Sequence, residues 1–225
     1  MHPLVDSTSD RARPALRRRL LAALGAACVL ASSLTGIAAA HGAANAPLVL
    51  DHQHTDAVSI PYENSELSLR TRADLESGAG QVHDPDDVVF HVTDALRDTV
   101  PAVPAFAFLG EPGTPIWKIS QTYRPGVLWA GWETQSLPRG VFAGDAVRLH
   151  LQAVSGPGDV ELYVNDLDGP RRLFSSTDPA FGTIVENVGA HTHANWVFTA
   201  EGTYRLTFVA EADRVGPHRP PLRHH

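Results

Sequence analysis

Between residues 147 and 210 apolar and polar side chains alternate with a period of two, and this constrains the fold more than any other feature of the chain. Val147, Leu149, Leu151 and Ala153 are interleaved with Arg148, His150 and Gln152; beyond Ser155-Gly156-Pro157-Gly158, Val160, Leu162 and Val164 are interleaved with Glu161, Tyr163 and Asn165. Successive side chains of a strand point to opposite faces, so each run reads as a strand with one dry and one wet face, and the turn between them predicts a hairpin. A second hairpin is expected where Trp196 and Phe198 lead through Ala200-Glu201-Gly202 to Tyr204, Leu206, Phe208 and Ala210. Shorter strands are expected at 47–50, 54–60, 66–70, 87–92, 115–119 and 183–186. One short helix is expected from Asp94 to Thr99, with Thr93 as N-cap and Pro101 ending it. Many short strands with glycine and proline turns imply an all-β fold, an antiparallel β-sandwich of Ig-like or jelly-roll-like type.

The first forty residues have a different character. A basic stretch (Arg11, Arg13, Arg17, Arg18 and Arg19) precedes an apolar run from Leu20 to Leu34 and then Ala38-Ala39-Ala40, the order of parts of a signal peptide. The apolar run is broken by Ser32 and Ser33 and stops short of about twenty residues, the length that spans a bilayer. Cleavage is expected after Ala40, with Ala44 second. Export by the general or the twin-arginine route fits Arg17-Arg18-Arg19-Leu20-Leu21 equally. Cys28 lies within the run with Gly25 three positions before it, where a lipoprotein signal carries a large aliphatic residue. Its removal leaves a cysteine-free chain, so the exported fold depends on its own core and not on disulfides.

The expected organisation is therefore a signal peptide at 1–40, one sandwich domain at 41–213 and a flexible tail at 214–225, proline-rich from Gly216 onward. No later apolar run reaches spanning length, so no transmembrane segment is expected in the mature chain and the expected location is secreted or cell-surface. The net charge of the whole chain is −7, and losing the arginines above makes the mature part more acidic still. Nucleic acid and anionic membranes are poor partners for such a surface.

The chemistry-bearing segments are few. In Gly189-Ala190-His191-Thr192-His193-Ala194-Asn195-Trp196-Val197-Phe198, a strand with Trp196 and Phe198 in the core sends His191, His193 and Asn195 to the opposite face. Two imidazoles two residues apart on a strand are roughly 7 Å apart, a spacing from which both converge on one divalent ion. Further ligands are sought in Asp51-His52-Gln53-His54-Thr55-Asp56, with His52, His54 and Asp56 the best candidates, and more weakly at His83, Asp84 and Asp86. The alternative is a set of solvated surface histidines; His91 and His150 are read that way. Trp117, Trp129 and Trp132 are a second concentration, suited either to stacking on a sugar ring or to plugging the end of the sandwich. No nucleophile elbow, P-loop, H-E-x-x-H pair, dinucleotide fingerprint or Cys–His arrangement is present, and the aspartates at 84, 86, 87, 159, 166 and 168 lack calcium-loop spacing.

His54-Thr55-Asp56, Asp84-Pro85-Asp86-Asp87, Trp129-Ala130-Gly131-Trp132-Glu133-Thr134, Val154-Ser155-Gly156-Pro157-Gly158 and His191-Thr192-His193-Ala194-Asn195-Trp196-Val197-Phe198 followed by Glu201-Gly202-Thr203-Tyr204 give the chain its resemblance to a known family. Over about residues 48 to 212 it resembles the actinobacterial surface-anchored protein domain, also called the choice-of-anchor M domain. The resemblance implies a secreted or wall-associated β domain without assigned catalysis, often associated with metal-type ABC transporters. Members commonly end in an anchor, whereas this sequence ends in Arg223-His224-His225. The resulting expectation is a non-enzymatic module that binds a divalent transition metal, Zn2+, through His54, His191 and His193 with Asp56 or water, and serves metal uptake with a transporter or another surface protein as partner. The alternative is a glycan- or protein-binding module using Trp117, Trp129 and Trp132; an extracellular hydrolase ranks third for want of an activated nucleophile.

Overall fold

The computed structural model describes residues 46–216. The expected signal peptide and the last nine residues of the tail, His224 and His225 among them, lie outside the described residues. Among the described residues seventeen strands follow one another: β1 (Leu48–Leu50), β2 (His54–Ser59), β3 (Tyr62–Glu63), β4 (Glu66–Leu67), β5 (Arg70–Leu75) and β6 (Gly78–His83). Then come β7 (Val88–Phe90), β8 (Arg97–Thr99), β9 (Pro115–Ile119), β10 (Trp129–Glu133), β11 (Ala146–Ser155) and β12 (Val160–Asp166). The last are β13 (Gly169–Ser175), β14 (Thr183–Asn187), β15 (His191–His193), β16 (Asn195–Phe198) and β17 (Arg205–Glu211). Three sheets carry the fold, ordered β15-β10-β2-β5-β6, β13-β12-β16-β9-β8 and β14-β11-β17, with β1-β7 and β3-β4 as two-stranded additions. The expected all-β sandwich is what the chain forms. Among the described residues no helix is long and apolar enough to cross a membrane.

The main core is shared by the three larger sheets: Val58 and Trp132 meet Leu149, Leu162, Phe174 and Trp196. A smaller core lies on the other face of the β12–β16–β9 sheet, where Tyr163, Val197 and Ile116 pack under a 3-10 turn at Pro104–Leu109. Because β12 and β16 are covered on both faces, their alternation loses its wet side, and Glu161 and Asn195 are buried with the rest. Glu161 is held by Arg172 at 3.0 Å and by the Ser175 hydroxyl at 2.6 Å, and the Arg172 guanidinium lies over Phe181 and Phe108.

Both expected hairpins are corrected in their pairing. β11 pairs with β14 and β17, whereas β12 pairs with β13 and β16, so Ser155–Gly158 carries the chain from one sheet to another. Likewise β16 and β17 belong to different sheets. The alternation located the strands, but a glycine-proline turn closes a hairpin only when neither strand finds a better partner. Here Gly156 passes against the Tyr204 ring, where any Cβ would lie 2.2 Å from a ring carbon. The expected helix is a single 3-10 turn at Asp94–Leu96, after which Arg97–Thr99 extends to pair with β9; Thr93 makes no side-chain cap. Near the end of the described residues Arg214 bridges to Phe142 and the Val215 amide donates to the Val141 carbonyl at 2.9 Å, which ties both residues to the domain.

Candidate metal centre

On the outer face of the β15-β10-β2-β5 sheet the register brings together side chains far apart in sequence. His54 and Asp56, two apart on β2, lie across from Trp129 and Gly131 of β10. Gly131 in turn lies across from His193 of β15, and Glu133 from His191. On the other flank Asp56 lies opposite Arg72 of β5. The two histidines of β15 thus reach toward β2 over the one position of β10 that has no side chain. A Cβ on Gly131 would stand 2.4 Å from the Thr192 carbonyl oxygen and 2.9 Å from His193 Nδ1, so the close approach of β15 requires glycine there.

His54, Asp56, His191 and His193 each direct one ligand-type atom into a space where all four lie within 4.8 Å of one another. His54 Nε2 and His191 Nε2 are 3.3 Å apart. The edge of a tetrahedron with zinc–nitrogen bonds of 2.0–2.1 Å is roughly 3.3–3.4 Å, so this pair already has the required separation. Asp56 Oδ1 is 2.8 Å from His191 Nε2 and 3.9 Å from His54 Nε2. Although close to His191, Asp56 Oδ1 is not aligned as a hydrogen-bond acceptor, and it is buried without a partner; the ring nitrogens of His193 are buried too, with the Ala130 backbone nearby but no well-formed hydrogen bond. Buried polar atoms are nearly always paired, and a convergent set of orphaned lone pairs is what a cation satisfies.

The surroundings orient the ligands. Asp74 of β5 accepts from His54 Nδ1 at 3.0 Å and from the Gly80 amide at 2.7 Å. This carboxylate fixes the proton of His54 on Nδ1 and turns the Nε2 lone pair toward the centre, an arrangement typical of metal-bound imidazoles. Partial burial pushes the Asp74 carboxyl up, but the Gly80 and His54 hydrogen bonds outweigh it and hold it below the ordinary carboxylate value. Asp56 is raised, because burial outweighs the attraction of His191 and His54. His193 lies flat against Trp129, with ring centroids 3.7 Å apart and planes 8° apart, and the Trp129 indole donates to the Gln121 carbonyl at 2.9 Å. Burial, followed by the neighbouring His54, lowers His193 from 6.5 to about 4, so its imidazole is neutral and available as a ligand.

That depression makes the metal-free domain acid-sensitive. Unfolded, His193 takes up a proton near pH 6.5, and folded only near pH 4. Its contribution is therefore intact above pH 6.5 and lost as pH falls from 6.5 towards 4. Thermal unfolding of the chelator-treated protein from pH 7.5 to 4 should show a smaller acid loss for His193→Gln than for the parent; parallel profiles would contradict the assignment.

The structure separates the expected site residues clearly. His54, Asp56, His191 and His193 come together. His52 instead pairs with Asp51, Asp84 accepts from the Asp86 amide at 3.1 Å, and Asp86 pairs with Arg205 at 3.3 Å. Neither His83, Asp84 nor Asp86 belongs to the cluster. Asn195 does not share the outer face with the histidines, because the chain leaves one sheet at Ala194 and enters the other. Its amide donates to the Tyr163 carbonyl at 3.3 Å, and its Oδ1 accepts from the Gln121 amide at 3.1 Å. The tryptophans form no common platform. Trp132 is 1 % exposed in the core with its indole donating to Glu186, Trp129 backs His193, and Trp117 lies on another sheet opposite Phe198. Asp74, Arg72 and Glu133 join the site unannounced by the histidine pattern. Comparison of the chain with models of known protein families, with curated proteins and with solved structures finds no match, so the centre is read from its own residues alone.

Proposed function

We propose that this domain is a non-enzymatic binding module that holds a divalent transition metal, zinc, through His54, Asp56, His191 and His193, and that it works outside the cytoplasm in metal uptake. The observation that carries the reading is the convergence of buried lone pairs without hydrogen-bond partners, on Asp56 Oδ1 and on His193, with two imidazole nitrogens at tetrahedral separation. Three imidazoles and a carboxylate suit a borderline ion such as zinc, and four protein ligands close a tetrahedral shell, whereas catalytic zinc keeps a position open for water. A closed shell favours holding an ion over activating water on it. The basic-then-apolar N-terminus and the likeness to surface-anchored domains found near metal-type ABC transporters favour the extracytoplasmic location, with a transporter or another surface protein as the receiving partner.

The test is thermal unfolding of the untagged protein at pH 7.5 with chelator or with zinc. An ion at 100 times its Kd adds about 2.7 kcal/mol. For a domain of this size that raises the midpoint by roughly 5–10 °C. The His191→Ala/His193→Ala double variant should show no zinc-dependent rise, and a parent whose midpoint ignores zinc would end the reading.

A further inference from the structure

Beside the four ligands sits a cation that nothing in a permanent metal site would call for. Arg72 projects from β5 directly opposite Asp56, on the face shared with Asp74 and His54. Its Nη1 is 3.6 Å from Glu133 Oε1, too far for a hydrogen bond, and among the described residues this is the one carboxylate within 4.0 Å of it. Glu133 does not depend on it: that fully buried carboxylate accepts from the Ser59 hydroxyl and from the Gln135 amide at 2.5 Å. The strand curls so that Gly80 also lies against the guanidinium, where a Cβ would stand 2.9 Å from Nη2. Room has been left for the guanidinium beside Gly80, on the strand position paired with Asp56, and the side chain remains one-third exposed.

We propose that Arg72 is a built-in counter-cation that keeps the bound ion exchangeable, making the centre a place for loading and release and not a structural staple; this rests on the metal reading above. A guanidinium cannot shed its proton at any ordinary pH, so its repulsion of a neighbouring cation is permanent. With the ion in place, the carboxylates of Asp56, Asp74 and Glu133 set against Arg72 leave two negative charges, which a divalent ion neutralises without excess. Without Arg72 a third negative charge would be uncompensated and the ion held more tightly. A site selected only for retention gains from every added negative charge, whereas here a positive one is carried on the strand position paired with the ligand Asp56. Like-charge repulsion from the adjoining strand, partly screened by solvent, is large enough to influence how readily the ion leaves.

The experiment measures zinc affinity by competition with a chromophoric chelator, and the rate of zinc transfer to excess EDTA, for the parent, Arg72→Met, Arg72→Gln and Arg72→Lys at pH 7.5. Both neutral variants should bind zinc at least about tenfold more tightly and release it correspondingly more slowly, while Arg72→Lys, which keeps the charge, stays within about threefold of the parent. Two neutral variants are used so that loss of folding in one leaves the other to decide. A folded neutral variant that binds zinc no more tightly than a zinc-binding parent overturns the role of Arg72 alone. A parent that binds no zinc removes the metal centre itself and this role with it.

Discussion

Replacing Gly131 by alanine should weaken zinc binding by roughly 100-fold, the upper end of what displaced metal-site geometry costs, although no ligand is replaced. The added methyl would stand 2.4 Å from the Thr192 carbonyl and 2.9 Å from the His193 ring, and the first of these is backbone that no rotamer change can move aside. β15 must therefore retreat from β10, and it carries His191 and His193 away from His54 and Asp56, which β2 holds on the far side of β10. Overpacking of this kind costs about 1–3 kcal/mol, so the metal-free midpoint should also fall by several degrees. The decisive quantity is the ratio of the two effects, measured by chelator competition and by unfolding of the same preparation. A folded Gly131→Ala variant with parental zinc affinity would show that β15 yields without carrying its histidines along, and the clamp over Gly131 would have to be abandoned.

The second large effect separates the tryptophans. Trp132→Ala should cost about 3–5 kcal/mol, as large aromatic deletions in a packed core do. For a domain of this size that is a midpoint loss of roughly 10 °C or more. Trp132 is buried against Phe174 and Trp196, and its indole N–H is bonded to Glu186 at 2.8 Å, so its removal leaves a cavity and takes from the Glu186 oxygen the shorter of its two hydrogen bonds, the Thr192 hydroxyl at 3.4 Å remaining. Trp129→Leu should act differently. That ring is partly exposed and its main contact is the imidazole of His193, so stability should change less than zinc affinity does. Calorimetry on both variants distinguishes the roles; a midpoint drop under about 3 °C for Trp132→Ala would place this indole outside the core energetics assigned to it.

The alternation of side chains made most strands legible, and it placed His54 with Asp56 and His191 with His193 as pairs that each share a face. What it could not show was pairing. Register between strands more than a hundred residues apart depends on which sheet edge each finds, and nothing local in Val147–Ala153 or Val160–Val164 records that the two runs part company. Asp74 and Arg72 were within reach, because Arg70-Thr71-Arg72-Ala73-Asp74-Leu75 alternates cleanly and sets both on one face. Their relevance appears only once β5 is known to lie beside β2. β10 is harder: Trp129-Ala130-Gly131-Trp132-Glu133 alternates too, but a glycine two residues before a buried glutamate hides the pattern, since hydropathy takes Gly131 for a turn and Glu133 for surface. Asn195 was misplaced for a related reason. The pattern reads as a single strand through Ala194, where the chain in fact changes sheets; the parity carries over, with Ala194 and Trp196 facing the main core and Asn195 and Val197 facing away, but on the second sheet that other face is covered by the smaller core.

That change of sheet makes spacing itself a design element. Only Ala194 and Asn195 separate the imidazole of His193, which looks outward, from the indole of Trp196, which looks inward, and each belongs to a layer with its own hydrogen-bonded frame. One residue gained or lost between them would rotate one group to the wrong side: either the indole turns to water or the imidazoles turn to oil. Loops elsewhere in the molecule can lengthen at little cost, but this pair of residues counts like the teeth of a gear, and the distance from ligand to core is kept in integers.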